Sequence, residues 1–235
     1  MKFAPPLTTL AATAVLLAIA GAAQAQTTYT DAQNDLFDNG FGHLDITDVV
    51  VSHDATNVTF TINVRSSLDD TAWGKYCIGI DTGAPGGDPG NGWGRNVNWN
   101  GQGIDWYVGS WADDGGNNFG AELRDPAHWA PNGPNYATWM GNFPGAGSST
   151  GTTQSITISR AALGLIGDQT FRFDVFTTGG GGSDPGVDHL SRADLATPGW
   201  GDPSVAGNFL AYTIPAPGAA TLVGLAGLFA SRRRR

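Results

Sequence analysis

The chain has one cysteine and one glutamate among its 235 residues, and both scarcities exclude something. A single cysteine, Cys77, closes no internal disulfide, so stability must come from a buried core or a bound metal. Cys77 sits in a strand-like stretch and reads as a small buried hydrophobe rather than a nucleophile. With Glu122 alone against twenty aspartates, the chain lacks a good former of helix interiors and is rich in a residue of turns and loops. Basic residues are scarce in segment 26–214, which holds seven against all 21 acids, a formal charge of −14. That charge repels phosphate backbones and excludes nucleic acid as a partner. The chain carries no H-E-x-x-H and no P-loop. It reads as non-catalytic; glycoside hydrolysis, which needs two carboxyls about 5–10 Å apart, is the lesser alternative.

Long apolar runs are also missing. The N-terminal run, 10–20, has eleven residues, short of the about 20 that a bilayer-crossing helix needs. Lys2 before it and Ala23-Gln24-Ala25 after it complete the pattern of a secretory signal peptide, residues 1–25. The C-terminal run, 219–230, has twelve residues and ends in Ser231 and four arginines, which the positive-inside rule keeps cytoplasmic. Residues 215–235 thus read as a membrane-sorting tail. The arrangement of Pro215-Ala216-Pro217, a short Gly/Ala/Leu helix and an Arg cluster resembles the PEP-CTERM signal of exosortase systems. Position 216 is Ala where that motif has Glu. The resemblance implies an exosortase-type processing enzyme as partner, transient insertion of the tail as a transmembrane helix, and delivery to the cell surface, envelope or extracellular matrix.

What remains, 26–214, is rich in strand formers. The segment 57–65 alternates Val58, Phe60, Ile62 and Val64 with polar residues. The preceding 44–53 keeps the same period with a slip at Asp48 that marks a bulge, and a turn at 54–57 makes the pair a hairpin. Further strands are expected at 75–81, 103–111, 118–124, 137–140, 154–159, 170–178 and 208–214, with single helical turns at 160–164 and 188–195. About nine strands predict an all-β, two-sheet antiparallel β-sandwich, jelly-roll-like in plan, in one domain.

The run Asp31 to Asp35, then Leu44-Asp45-Ile46-Thr47-Asp48-Val49, Val58-Thr59-Phe60-Thr61-Ile62 and Ile80-Asp81-Thr82 before a Gly/Pro loop, resembles the DOMON-like β-sandwich group. That group includes the family 9 carbohydrate-binding modules, and the similarity spans roughly 29–213. It implies a sandwich fold and, among the ligands of the group, sugar. Haem, bound through Met and His in one branch, is disfavoured because Met140 is the one methionine of segment 26–214.

Two sites are expected. Calcium takes six to eight oxygen ligands from flexible loops. Asp31, Asn34 and Asp35 are candidate ligands, and the resemblance implies a structural calcium where such an acidic segment meets a neighbouring loop, with Asp184 and Asp188 as partners. The spacing from Asp35 to Gly40 is not that of an EF-hand. The second site would bind polysaccharide or another glycan by stacking sugar rings on aromatics. Seven of eight tryptophans lie between Trp73 and Trp139, and Trp93, Arg95, Trp99, Asn100 and Trp111 are the candidates. Trp106, in phase with Ile104 and Val108, reads as core. A structural envelope or matrix scaffold without a small ligand is the alternative to a calcium-stabilised carbohydrate-binding module.

Overall fold

The computed structural model describes residues 25–85, 93–111, 120–129, 137–142 and 147–215, and for 120–129, 137–142 and 147–150 the backbone course alone. The signal peptide and sorting tail expected from sequence lie outside these residues apart from Ala25 and Pro215. Among the described residues no helix is long and apolar enough to cross a membrane.

The chain forms strands β1 (Gln26–Thr30), β2 (Ile46–His53), β3 (Asn57–Val64), β4 (Lys75–Asp81), β5 (Trp106–Trp111) and β6 (Gly120–Trp129). It continues through β7 (Ala137–Asn142), β8 (Gly147–Thr150), β9 (Thr153–Ser159), β10 (Gln169–Thr178), β11 (Gly186–His189) and β12 (Leu210–Ile214). One sheet runs β1-β2-β3-β9-β8 and the other β11-β10-β4-β5-β6-β7, all neighbours antiparallel. The remaining strand, β12, lies along Gln169–Phe173 of β10, on the edge that β11 occupies further on at Phe176–Thr178. The architecture is the all-β sandwich that composition and periodicity predict.

Period-two alternation explains the packing. Along β3, Val58, Phe60, Ile62 and Val64 are buried and the intervening residues are half-buried. On that outer face the Thr59 and Thr157 hydroxyls meet at 2.9 Å and those of Thr61 and Ser155 at 3.3 Å. The β2–β3 turn is closed by Asp54, whose Oδ1 accepts from the backbone N–H of Thr56 (2.6 Å) and Asn57 (2.7 Å). Those donors hold its carboxyl down at about 2. The slip at Asp48 is a bulge: register shifts between Ile46 and Asp48. Both sheets contribute to the main core, through Phe60, Ile62 and Ile156 on one side and Ile78, Val108, Phe171 and Phe173 on the other. Trp106 packs against it partly buried.

The second sheet buries its outer face as well. Cys77, Tyr107 and Phe176 point away from the main core and are covered by Val97, Trp99 and Ile104 from the loop before β5, with Trp93 and Phe209 at the margin. Glycines in mid-strand make the room: a Cβ on Gly79 would lie 2.7 Å from Trp99 Cζ2, and one on Gly109 2.1 Å from Trp93 Cζ2. Cys77 is a buried hydrophobe as expected, its thiol pushed up to about 11 by burial.

Three strands escape the sequence pattern. The β1 and β8 edge strands are short and polar, and β11 takes the first two residues of the helical turn expected at 188–195. Only Leu190–Arg192 of that segment winds into a 3-10 turn. The four residues of β11 are all buried, so no alternation reveals them.

Candidate metal centre

Segment 31–45 connects β1 to β2, and its regular structure is a 3-10 turn at Asn39–Phe41. It carries the acids expected to hold a cation. Carboxylate oxygens of Asp31, Asp35 and Asp188 all lie within 4.8 Å of one another. Asp31 follows β1 on the edge of one sheet, and Asp188 sits in β11 on the edge of the other. Asp188 Oδ2 accepts from the Ile46 N–H at 2.6 Å and ties β11 to the start of β2.

The donor set is incomplete in a telling way. Among the described residues, Asp31 Oδ2 and Asp35 Oδ1 are buried with no hydrogen-bond partner, as is Oδ1 of the neighbouring, fully buried Asp45. A buried carboxylate oxygen without a donor is costly. Burial raises the Asp31 carboxyl to about 7, against the Ala32 N–H that it accepts and with the repulsion of Asp35, Asp174 and Asp45 added. Burial likewise raises Asp35, and it raises Asp188 well above the usual carboxylate range, with Asp31, Asp35 and Asp45 adding to the effect. Hard oxygen donors with no His or Cys among them suit calcium better than zinc.

Asp45 is outside the trio but buried next to it, and the sequence reading assigned it no part in the site. Its Oδ2 accepts from Arg65 Nε at 2.6 Å and from the Asn34 N–H at 2.9 Å. Leu44, Asp45 and Ile46 are all fully buried, and an acid between two buried aliphatics, twenty residues before an Arg, is the signal that was available. Asn34 acts through its backbone, in a left-handed conformation (φ 64°) that presents its N–H to Asp45. Asp184 is not brought to the cluster. Its Oδ2 accepts from the Gly181 N–H at 2.7 Å and closes the turn of the glycine loop, which corrects its expected role as a ligand.

The expected glycan residues are placed differently from what stacking requires. Trp99 is fully buried on Gly79, stacked on Phe209, with its Nε1 donating to Asp174 Oδ2 at 2.9 Å. It is core, and no sugar reaches it. Trp93 lies on Gly109 with the Arg95 guanidinium over its ring (5.5 Å to the centroid) and Tyr107 edge-on. Arg95 also donates to the Gly181 carbonyl. Asn100 is an exposed turn residue with φ 54°, followed by Gly101 at φ 75°. Trp111, half-buried, tilts against Trp93 at 6.3 Å. Gly79 and Gly109, in the middle of strands, were the signal that tryptophans would lie flat there.

Two further clusters emerge from the fold. Around the buried His189, Nδ1 contacts Asp174 Oδ2 at 2.7 Å and Nε2 contacts Ser204 Oγ at 3.3 Å. This has the connectivity of a hydrolytic triad but is sealed. Any Cβ on Gly207 would lie 2.2 Å from Asp174 Oδ2, and one on Gly186 2.6 Å from His189 Nε2. Backbone fills the space a substrate would need, and Ser204 Oγ is within 3.2 Å of the Gly186 carbonyl. The second cluster adjoins the carboxylates. Leu36, Leu44 and Val187 form a small buried centre, and Phe37, Phe41, Trp73 and Trp200 pack on it partly exposed. His43 lies beneath, fully buried, its ring centroid 5.0 Å from that of Trp73.

No family model, curated protein or solved structure matches this chain.

Proposed function

We propose that this protein is an exported, non-catalytic β-sandwich module of the cell surface whose two sheet edges are stapled by calcium and which binds glycan. The observation that carries the reading is the convergence of Asp31, Asp35 and Asp188 with buried carboxylate oxygens that lack donors. In the Asp31–Asp35–Asp188 cluster a divalent cation would supply the positive charge that Arg65, paired with Asp45, does not bring there, and a partner for Asp31 Oδ2 and Asp35 Oδ1, which the Ala32 and Ile46 N–H groups leave without one. Asp45, already paired with Arg65, orients the segment rather than leading the ligand set. A cation bound there would hold segment 31–45 against β11 and the edge of the second sheet.

The burial of the Asp174–His189–Ser204 row supports the non-catalytic reading. The row is a polar tie for the loop before β12: Asp174 also accepts from Trp99, and Thr197 donates to the Gly186 carbonyl at 2.6 Å. Thermal unfolding of the chain in excess calcium and in EGTA tests the metal reading. A higher melting temperature in calcium, absent from Asp188→Asn, supports it; equal melting in both buffers contradicts it.

A further inference from the structure

We infer that the outer face of the first sheet is an ice-binding surface, an array of uncharged side chains on four strands that holds an ordered lattice of water. This goes beyond the calcium and glycan reading and rests on neither. The register of β1, β2, β3 and β9 fixes the array. Thr28, Val50, Thr61 and Ser155 stand side by side in its middle row. Gln26, Ser52, Thr59 and Thr157 form the row on one side of it. The row on the other side runs from Thr30 through Asp48 and Asn63 to Thr153. Val49, Val51, Phe60, Ile62 and Ile156, which alternate with these residues, are fully buried in the main core, so the rows face outward. The β1 members are exposed and the others half-buried. Beyond β9, β8 adds one more uncharged strand, Gly147–Thr150.

What such a face can bind follows from what it lacks. Segment 26–214 carries a formal charge of −14, yet Asp48 is the one charged residue in the three rows. With no Lys or Arg among them, the rows offer nothing to phosphate or to an anionic lipid surface. A single carboxylate is too few for a lattice of mineral cations. No aromatic ring stands in the rows, so no sugar stacks there, and so many hydroxyls are too polar for the dry centre of an interface with a second copy. What remains is a two-dimensional repeat of hydroxyls, about 4.8 Å apart across the strands and about 6.8 Å along them. Those spacings are close to the oxygen repeats on the prism face of hexagonal ice. The hydroxyls are also set in advance. Those of Thr59 and Thr157 meet across strands at 2.9 Å and those of Thr61 and Ser155 at 3.3 Å. In the outer row Thr153 Oγ1 donates to Asn63 Oδ1 at 2.8 Å, and Asn63 Nδ2 donates to Asp48 Oδ1 at 2.7 Å. All of these bonds run within the face, and β-branching stiffens each threonine further. A bonded pair of hydroxyls still has a donor and acceptors left for water. Ordered water can therefore be held without first immobilising the side chains that hold it.

Slow growth of ice from a dilute solution of the full chain tests this, with protein measured in the ice and in the remaining liquid and albumin as the non-binding control. Incorporation of the wild type into the ice is expected, with faceted crystals and a freezing point held below the melting point. Thr61→Lys and Thr59→Lys each put a long hydrated charge into the array and should be excluded from the ice as albumin is. Thr170→Lys breaks a hydroxyl pair of the second sheet, Thr170 with Thr213 at 2.8 Å, and should be incorporated as the wild type is. Protein melting temperatures matching the wild type's show that the lysine variants fold. Exclusion of the wild type from ice, with freezing and melting at one temperature, overturns the inference. Incorporation of Thr61→Lys and Thr59→Lys at the wild-type level overturns it too, and an equal loss in Thr170→Lys overturns the assignment to this face.

Discussion

Replacing Asp31 by Asn should stabilise the metal-free protein, although it removes a native side chain from a cluster proposed to be useful. The Asp31 carboxyl is raised from 3.8 to about 7, chiefly by burial. At about 1.4 kcal/mol per unit, this is a cost of roughly 4 kcal/mol at neutral pH if none of it is screened. Asp31 keeps partial contact with solvent, which reduces the figure to about 2 kcal/mol. The sign follows from a folded-state value above the unfolded one. The cost is absent below pH ~3.8, develops as the pH rises to ~7, and is constant above that. In EGTA at pH 7.5, Asp31→Asn should therefore melt about 4–8 °C above the wild type, at about 2–4 °C per kcal/mol for a chain of this size. Near pH 3.5 the two should converge. In calcium at 100 times its dissociation constant, the wild type gains about 2.7 kcal/mol and overtakes the variant, which has lost a ligand. Scanning calorimetry of both proteins in both buffers measures all of this. A metal-free Asp31→Asn that melts below the wild type at pH 7.5 would mean that the buried Asp31 charge carries no cost, and an equal calcium gain in both would mean that Asp31 is no ligand.

Burial lowers the His43 pKa, against the opposing charge of Asp70, so its contribution to stability is present above pH 6.5 and is lost as the pH falls below that; in saturating calcium, His43→Gln should flatten this part of the pH–melting curve. Trp99→Phe removes the bond to Asp174 and leaves space over Gly79, and should cost about 2–4 kcal/mol in denaturant unfolding; a loss below about 1 kcal/mol would mean that Trp99 is not core. Cys77, fully buried with its thiol raised to about 11, should resist a thiol reagent at pH 8 in the native protein and react at once in denaturant. Fast native labelling would place it at the surface.

The sheets were legible where one face is core and the other is not. The β2–β3 hairpin, its bulge at Asp48 and the alternation of β3 could all be read from the sequence because polar and apolar residues separate cleanly. Legibility ended where both faces are covered. Trp99 and Trp93 looked like exposed stacking residues because they lie in a polar, Asn-rich loop, yet that loop roofs the outer face of β4 and β5. The carboxylate site was half legible. Asp31, Asp35 and Asp188, named from composition and resemblance, do converge in the fold, while Asp184 closes the turn of its own glycine loop instead of joining them. The aromatic cluster was hidden because Phe37 and Phe41, Trp73 and Trp200 lie in three connections far apart in sequence, those before β2, β4 and β12, which only the fold brings together.

A calcium titration of the chelator-treated full chain by calorimetry shows directly whether a cation joins segment 31–45 to β11. Saturable binding is expected, with a dissociation constant no weaker than about 1 mM, as for extracellular calcium modules, and lost in Asp188→Asn. The absence of saturable heat up to about 10 mM calcium, or unchanged binding by Asp188→Asn, would contradict it.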